Sequence, residues 1–174
     1  IDRFKDIYVP PAAGDAGLAI GAAFYLWHDI LGNPRSFVLT HAFWGPEFKK
    51  AEIKAEVEKR RKELIETGCV IEEVKDADAL CVKIARYIAD GKIVGWFQGR
   101  MEFGPRALGN RSILADPRSP EMKDILNERI KHREPFRPFA PSVLEEDLNK
   151  FFDNTKPSPF MSFVRSVKNE KMGL

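Results

Sequence analysis

The feature that most limits what this chain can fold into is the stretch of residues 98–112. It reads Gln-Gly-Arg-Met-Glu-Phe-Gly-Pro-Arg-Ala-Leu-Gly-Asn-Arg-Ser and lies between two short apolar runs. The run before it, Ile93-Val94-Gly95-Trp96-Phe97, is bounded by breakers and has the pattern of a strand buried on both faces. Ser112-Ile113-Leu114-Ala115 follows as a second strand candidate. In the loop, three glycines let backbone N–H groups close on an anion, while three arginines present planar forks of donors that suit phosphate or carboxylate. The plainer reading is a surface loop whose arginines pair with Glu102, Asp116 and solvent. The glycine spacing matches neither the Walker phosphate loop nor the dinucleotide fingerprint, so neither mechanism transfers.

A second basic cluster, Ile130-Lys131-His132-Arg133-Glu134-Pro135-Phe136-Arg137-Pro138-Phe139-Ala140-Pro141-Ser142, follows a helical pattern. Its three prolines stiffen the backbone, so Lys131, Arg133 and Arg137 are held at little further entropic cost. Alternatively, the prolines simply end the helix and the cations extend into solvent. Two such clusters around one strand-and-helix unit point to a shared ligand. Net charge is only +2, but residues 99–137 hold nine Lys and Arg against six Asp and Glu. That local surplus suits a small anion better than a nucleic-acid surface, which asks for a longer basic stripe with exposed aromatics.

The rest of the chain reads as helices and connections. Val9-Pro10-Pro11-Ala12-Ala13-Gly14-Asp15-Ala16-Gly17 is a turn-rich approach to a tightly packed helix of small residues, with Asp15 near its start. Residues 33–46 read as an irregular connection containing a boundary. Residues 48–67 form a charged helix ended by Gly68, with Lys54/Glu58, Glu56/Arg60 and Glu58/Lys62 four apart. Residues 69–74 alternate like a strand, Asp76 caps a second helix, and Asp90-Gly91 stops it. Ser119-Pro120 reads as the start of a helix with Met122, Ile125, Leu126 and Ile130 on one face, and residues 139–144 as a third strand. A chain of 174 residues can bury a core. Cys69 and Cys81 are too few for a disulfide scaffold and read as buried thiols. No signal peptide or apolar run of membrane length is visible, so the expectation is a soluble, cytoplasmic protein.

Residues 99–118 and 131–142 resemble the signature of the C-terminal, YrdC-like domain of the O-carbamoyltransferases, a family that includes the nodulation protein NodU and antibiotic-tailoring enzymes. The resemblance implies an α/β fold: a YrdC-like mixed sheet with helices, preceded by a helical remnant of an actin-like ATPase-superfamily domain. Residues 1–45 would end that N-terminal domain, 46–75 would connect, and 76–174 would be the YrdC-like domain, incomplete at its C-terminus. The chain then reads as a piece cut at both ends of a protein some three times longer.

In this family the YrdC-like domain forms carbamoyl adenylate from carbamoyl phosphate and ATP, and the N-terminal domain passes the carbamoyl group to a hydroxyl acceptor such as a sugar or natural product. The resemblance makes Arg106, Lys131 and Arg137 the candidate catalytic cations. Arg100, Glu102, Gly104, Arg111, Ser112 and Arg133 join them as candidate substrate- and nucleotide-binding residues, with Mg²⁺ accompanying ATP. Ser112 could bond a phosphate oxygen, and Glu102 could orient an arginine or hold Mg²⁺. Pro10 to Gly17 resemble the last conserved motif of the N-terminal domain, where an aspartate completes an Fe(II) site. Asp15 is thus a candidate iron ligand whose histidine partners lie elsewhere, His28 and His41 being in the wrong context; its ordinary reading is a helix N-cap. No general base is assigned, and a homodimer is allowed. The competing reading is a noncatalytic nucleotide- or RNA-binding YrdC-like module using the same basic loops.

Overall fold

A computed structural model describes residues 3–153 and 156–168; the end of the expected YrdC-like span, from residue 169 on, lies outside the described residues. The order is α1 (Leu18–Tyr25), α2 (Lys50–Lys59), α3 (Arg61–Glu66), α4 (Ala77–Ala89), β1 (Val94–Phe97), β2 (Arg111–Leu114), α5 (Met122–Ile125) and α6 (Leu148–Phe151). This mixture of helices and sheet is the α/β architecture expected. β1 and β2 pair antiparallel in the register Val94↔Leu114, Gly95↔Ile113, Trp96↔Ser112 and Phe97↔Arg111. The glycine- and arginine-rich stretch is therefore the loop of a hairpin.

Local chemistry explains most of the boundaries. The Asp76 carboxylate accepts the backbone N–H groups of Asp78 (2.9 Å) and Ala79 (3.3 Å), filling two of the four donors that a helix start leaves unpaired. Gly68 and Gly91 end their helices at φ +80° and +76°, which a side chain would resist. The long charged helix breaks at Arg60 (φ −100°, ψ 6°) into α2 and α3. Arg60 pairs with Glu56 as its spacing suggests, but Glu58 pairs with Arg61 rather than with Lys54 or Lys62.

Several expectations are corrected. Residues 69–74 form no strand and Val70 is 91% exposed, because among the described residues no second strand lies alongside to bury the alternating residues. Residues 139–144 likewise form no strand with any described residue. β1 is half-exposed rather than buried on both faces, since the sheet stops at two strands. Ser119 caps nothing with its side chain; α5 begins at Met122, whose N–H reaches back to the Ser119 carbonyl (3.1 Å). Beyond α5 the chain widens into a π turn over Leu126–Lys131, which shifts the helical phase. Met122 and Leu126 are buried, but Asn127 takes the inward place and Ile130 is exposed. Both cysteines are exposed, Cys69 just past a helix end and Cys81 on the outer side of α4.

The packed centre is also smaller than the chain length allows. The buried apolar residues among those described are Leu39, Ala42, Met122, Leu126 and Phe160, with Pro11 in the N-terminal turns. Total accessible surface is 14028 Å², against roughly 8,600 Å² for a compact monomer of this mass. α1, whose small residues suggest tight packing, buries no residue, and Leu18 is 70% exposed. Among the described residues no helix is long and apolar enough to cross a membrane.

Candidate functional site

The hairpin loop is closed at its base by Gln98 N–H to the Asn110 carbonyl (3.0 Å) and by Asn110 Nδ2 to the Arg100 carbonyl (2.7 Å). Its organising group is Glu102. One carboxylate oxygen, Oε1, accepts the backbone N–H groups of Leu108 (2.8 Å), Asn110 (2.8 Å) and Arg111 (3.3 Å). Burial works against the charge, but these N–H groups together outweigh it and hold the carboxyl below its ordinary value. The Gly109 N–H goes to Ser112 Oγ (2.9 Å), which leaves the Ser112 hydroxyl proton free to donate. Glu102→Ala should loosen this loop, at a cost of about 1 to 3 kcal/mol for three stranded donors. Urea unfolding would read that cost, and Glu102→Gln, which keeps one acceptor oxygen, should lose less.

The arginines divide into two kinds. Arg111 is spent inside the protein: Nη1 donates to the carbonyls of Gln98 (2.6 Å) and Asn110 (2.9 Å), and Nη2 to that of Gly99 (3.1 Å). Its guanidinium lies 3.5 Å from the ring centre of Phe97, its cross-strand neighbour, and its Nε is buried without a hydrogen-bond partner among the described residues. Arg111 thus braces the hairpin neck. Arg106 is the opposite case, exposed at the loop tip with no hydrogen bond or ion pair among the described residues. The Arg100 side chain makes a long bond to the Trp44 carbonyl (3.4 Å).

The irregular stretch before α2 is the loop's partner. Gly45 N–H meets the Met101 carbonyl (2.9 Å), Met101 N–H that of Pro46 (2.9 Å), and Phe103 N–H that of Ala42 (2.6 Å). On another side, the turn-rich N-terminal segment presses on Gly104. A Cβ placed there would lie 2.7 Å from Ala12 Cβ, and Gly104 has φ +105°. Two motifs some ninety positions apart in sequence are thereby in van der Waals contact.

The second cluster is built around Asn127. Its Nδ2 donates to the carbonyls of Pro135 (3.3 Å) and Arg137 (3.0 Å), and its Oδ1 accepts Arg133 Nε (2.7 Å). Arg133 also lies 4.6 Å from the Phe139 ring centre. Arg137 Nε pairs with Glu134 at 2.8 Å, whereas Lys131 has no hydrogen bond or ion pair among the described residues. Glu128, His132, Arg133, Glu134 and Arg137 line an open depression of about 640 Å³. No hydrogen bond or ion pair among the described residues links this cluster to the hairpin loop.

Between the clusters Asp116 (8% exposed) takes Arg118 Nη2 at 2.7 Å and Nε at 2.9 and 3.1 Å, and accepts the Arg118 backbone N–H at 2.9 Å. The Arg118 guanidinium holds the carboxyl down at about 2, from an ordinary 3.8. Because the folded value is the lower one, the pair's contribution is fully present above about pH 4 and fades as pH falls toward about 2. Asp116→Asn should remove that part of the acid sensitivity and lower stability at neutral pH, as denaturant unfolding at pH 7, 4 and 2.5 would show.

Asp15 neither caps its helix through its side chain nor joins a metal cluster. The cap position is Gly14, and Asp15 opens a short 3-10 turn ahead of α1. Among the described residues no three His, Cys, Asp or Glu side chains gather as metal ligands. His28 Nδ1 lies 3.0 Å from the Asn33 carbonyl and His41 stacks on Trp44. An iron at Asp15 would take its other ligands from outside the described residues.

Against this geometry, residues 85–173 match the family described as Carbamoyltransferase C-terminus, half of the chain. The chain belongs to the carbamoyltransferase family. Nodulation protein NolNO of Sinorhizobium fredii is 48% identical over 98% of the chain, which corresponds to 25% of that protein. Nodulation protein U of the same species is 39% identical over 95% of the chain and 26% of its own length. The 3'-hydroxymethylcephem-O-carbamoyltransferase of Amycolatopsis lactamdurans is 33% identical over the whole chain and 30% of its own length. The chain therefore spans between a quarter and a third of the length of these curated relatives.

Within this carbamoyltransferase segment the sequence reading missed Asn110 and Asn127, each of which holds one of the two basic loops from within. Asn127 left one trace, a polar residue next to Leu126 in an otherwise apolar inward run; the π turn that brings it inside has no comparable signature.

Proposed function

We propose that this chain is the segment of an O-carbamoyltransferase that activates the carbamoyl group as carbamoyl adenylate, for transfer to a hydroxyl acceptor elsewhere in the whole protein. One observation carries the reading: Arg106 stands without a hydrogen bond or ion pair among the described residues, at the tip of a loop held from within by Glu102. A cation left unpaired on a preorganised support suits an incoming phosphate.

Carbamoyl phosphate and ATP both arrive negatively charged, so their charges must be neutralised before they react. The atoms balance with one water. Water takes the phosphoryl group of carbamoyl phosphate as inorganic phosphate, a carbamate oxygen bonds to the α-phosphorus of ATP, and pyrophosphate leaves. In this reading Arg106, Lys131 and Arg137 position the phosphates and stabilise charge, with Arg100 and Arg133 in support. Arg137 would exchange its Glu134 partner for a phosphate oxygen. Arg111 and Glu102 act by shape, since their donors and acceptor are engaged with backbone, while Ser112 keeps a proton to donate. Magnesium would accompany ATP on its phosphates. The exposed α1 is read as the end of the preceding domain, and the protein as cytoplasmic.

The reading is tested by incubating the full-length protein with ATP and carbamoyl phosphate, without acceptor, and searching for carbamoyl adenylate by mass spectrometry. Stoichiometric pyrophosphate and carbamoyl adenylate are expected. Intact ATP together with tight, strongly salt-dependent binding of single-stranded RNA would instead establish a noncatalytic module.

A further inference from the structure

Three local costs coincide at one place in the fold. Asn127 is the most deeply buried large side chain described, at 1% exposure, in a position where an apolar residue would pack beside Met122 and Leu126. The π turn that carries it inward is an uncommon conformation, one that recurs at functional sites. His132, which closes that turn, sits in the left-handed region at φ +47°, where a side chain is disfavoured. A buried amide is tolerated only when its hydrogen bonds are satisfied, and here the bonding is directed at one segment. Both bonds donated by Nδ2 go to carbonyls of the 135–137 backbone, and Oδ1 and the main-chain oxygen of Asn127 each accept from Arg133, at 2.7 and 3.0 Å.

We propose that Asn127 is a positioning residue for an anion subsite formed by Arg133 and Arg137, the place where a phosphate or pyrophosphate group rests beside the depression. The inference rests on the reading of this segment as a phosphate-handling site and adds to it a residue that reading does not name. Asn127 fixes Arg133 through Nε, and the Pro138 carbonyl takes Nη2 at 3.3 Å. With the guanidinium against Phe139, Nη1 is left without a hydrogen bond among the described residues and can serve a ligand. By holding the Arg137 carbonyl, Asn127 also sets where the Arg137 side chain leaves the backbone. A leucine at this position would fill the space yet strand two carbonyls and the Arg133 Nε–H.

The test is a double-mutant cycle on the full-length protein, with inorganic pyrophosphate as the probe and calorimetry as the readout. Asn127→Ser and Arg133→Ala should each weaken binding by about tenfold, while the double variant should lose clearly less than the roughly hundredfold of two independent effects, the remainder being the share of Asn127 that acts through Arg137. A structural role would lower thermal stability without this non-additivity. If Asn127→Ser does not fold, the near-isosteric Asn127→Asp takes its place in the cycle. It keeps an acceptor for Arg133 but sets an oxygen against the two carbonyls, so the same weakening is expected. Unchanged affinity in a folded Asn127 variant, a further tenfold loss in the double variant, or a wild-type protein that does not bind pyrophosphate would each overturn the inference. Normal pyrophosphate binding without formation of carbamoyl adenylate would sink the adenylate reading alone and leave the role of Asn127 standing.

Discussion

Arg106→Ala in the full-length protein should cut carbamoyl-phosphate-dependent ATP–pyrophosphate exchange by about 10² to 10³, the usual effect of removing one preorganised donor from a site of developing charge. Thermal stability should hardly move, within about 0.5 kcal/mol, because an exposed side chain with no hydrogen bond or ion pair among the described residues contributes little to the fold. The combination separates a ligand-binding arginine from a structural one. Arg111→Ala should show the reverse pattern. Its three bonds to carbonyls and its contact with Phe97 make it part of the hairpin neck, so stability falls together with activity. Arg106→Lys keeps the charge but loses the planar fork and should lie between wild type and alanine.

The second large effect is expected at Gly104. Alanine there would meet two obstacles: a positive φ of +105°, and a Cβ only 2.7 Å from Ala12 Cβ. The backbone term alone costs about 1 to 2 kcal/mol. The clash adds to it, because the neighbour is a short side chain close to the main chain that cannot swing away. Gly104→Ala should therefore lower the unfolding midpoint and push the 10–17 segment off the hairpin loop, taking exchange activity with it. Ala12→Gly offers a direct control. It removes the obstructing methyl and also relieves Ala12 itself, which sits at φ +55°. The double variant should recover part of the stability but not all, since the strain at residue 104 remains. Failure of Ala12→Gly to rescue would mean that the two motifs do not bear on one another.

Elements governed by neighbours along the chain are legible in the sequence itself. Asp76 caps because its carboxylate reaches N–H groups two and three residues ahead, and Gly68 and Gly91 stop helices because few other residues take their φ. The two strands around the arginine loop are also visible, since a short apolar run next to a glycine-rich turn has few other uses. What depends on distant partners is not. Residues 69–74 and 139–144 have strand-like patterns and no strand beside them among the described residues, and a pattern cannot say whether a partner exists. The phase error at Ile130 has a different origin: one π turn adds a residue to the helical repeat, so every later position rotates away from its expected face.

The candidate site divides in the same way. Arginines and glycines suggest an anion by type alone, so the two basic clusters stand out in the sequence as candidates. Their internal wiring cannot. Glu102 has the residue type to orient an arginine or hold a metal and instead gathers three backbone N–H groups, a role set by loop closure rather than by residue type. The contact between Ala12 and Gly104 is invisible for the same reason, being a matter of close approach between segments that share no pattern.

The measurement that bears most directly on the account is exchange of labelled pyrophosphate into ATP by the full-length wild-type protein, run with and without carbamoyl phosphate. Exchange that appears only when carbamoyl phosphate is present is the result the account requires, because it shows reversible formation of an adenylate from that donor. ATP binding without any exchange, at every concentration of carbamoyl phosphate, would contradict it.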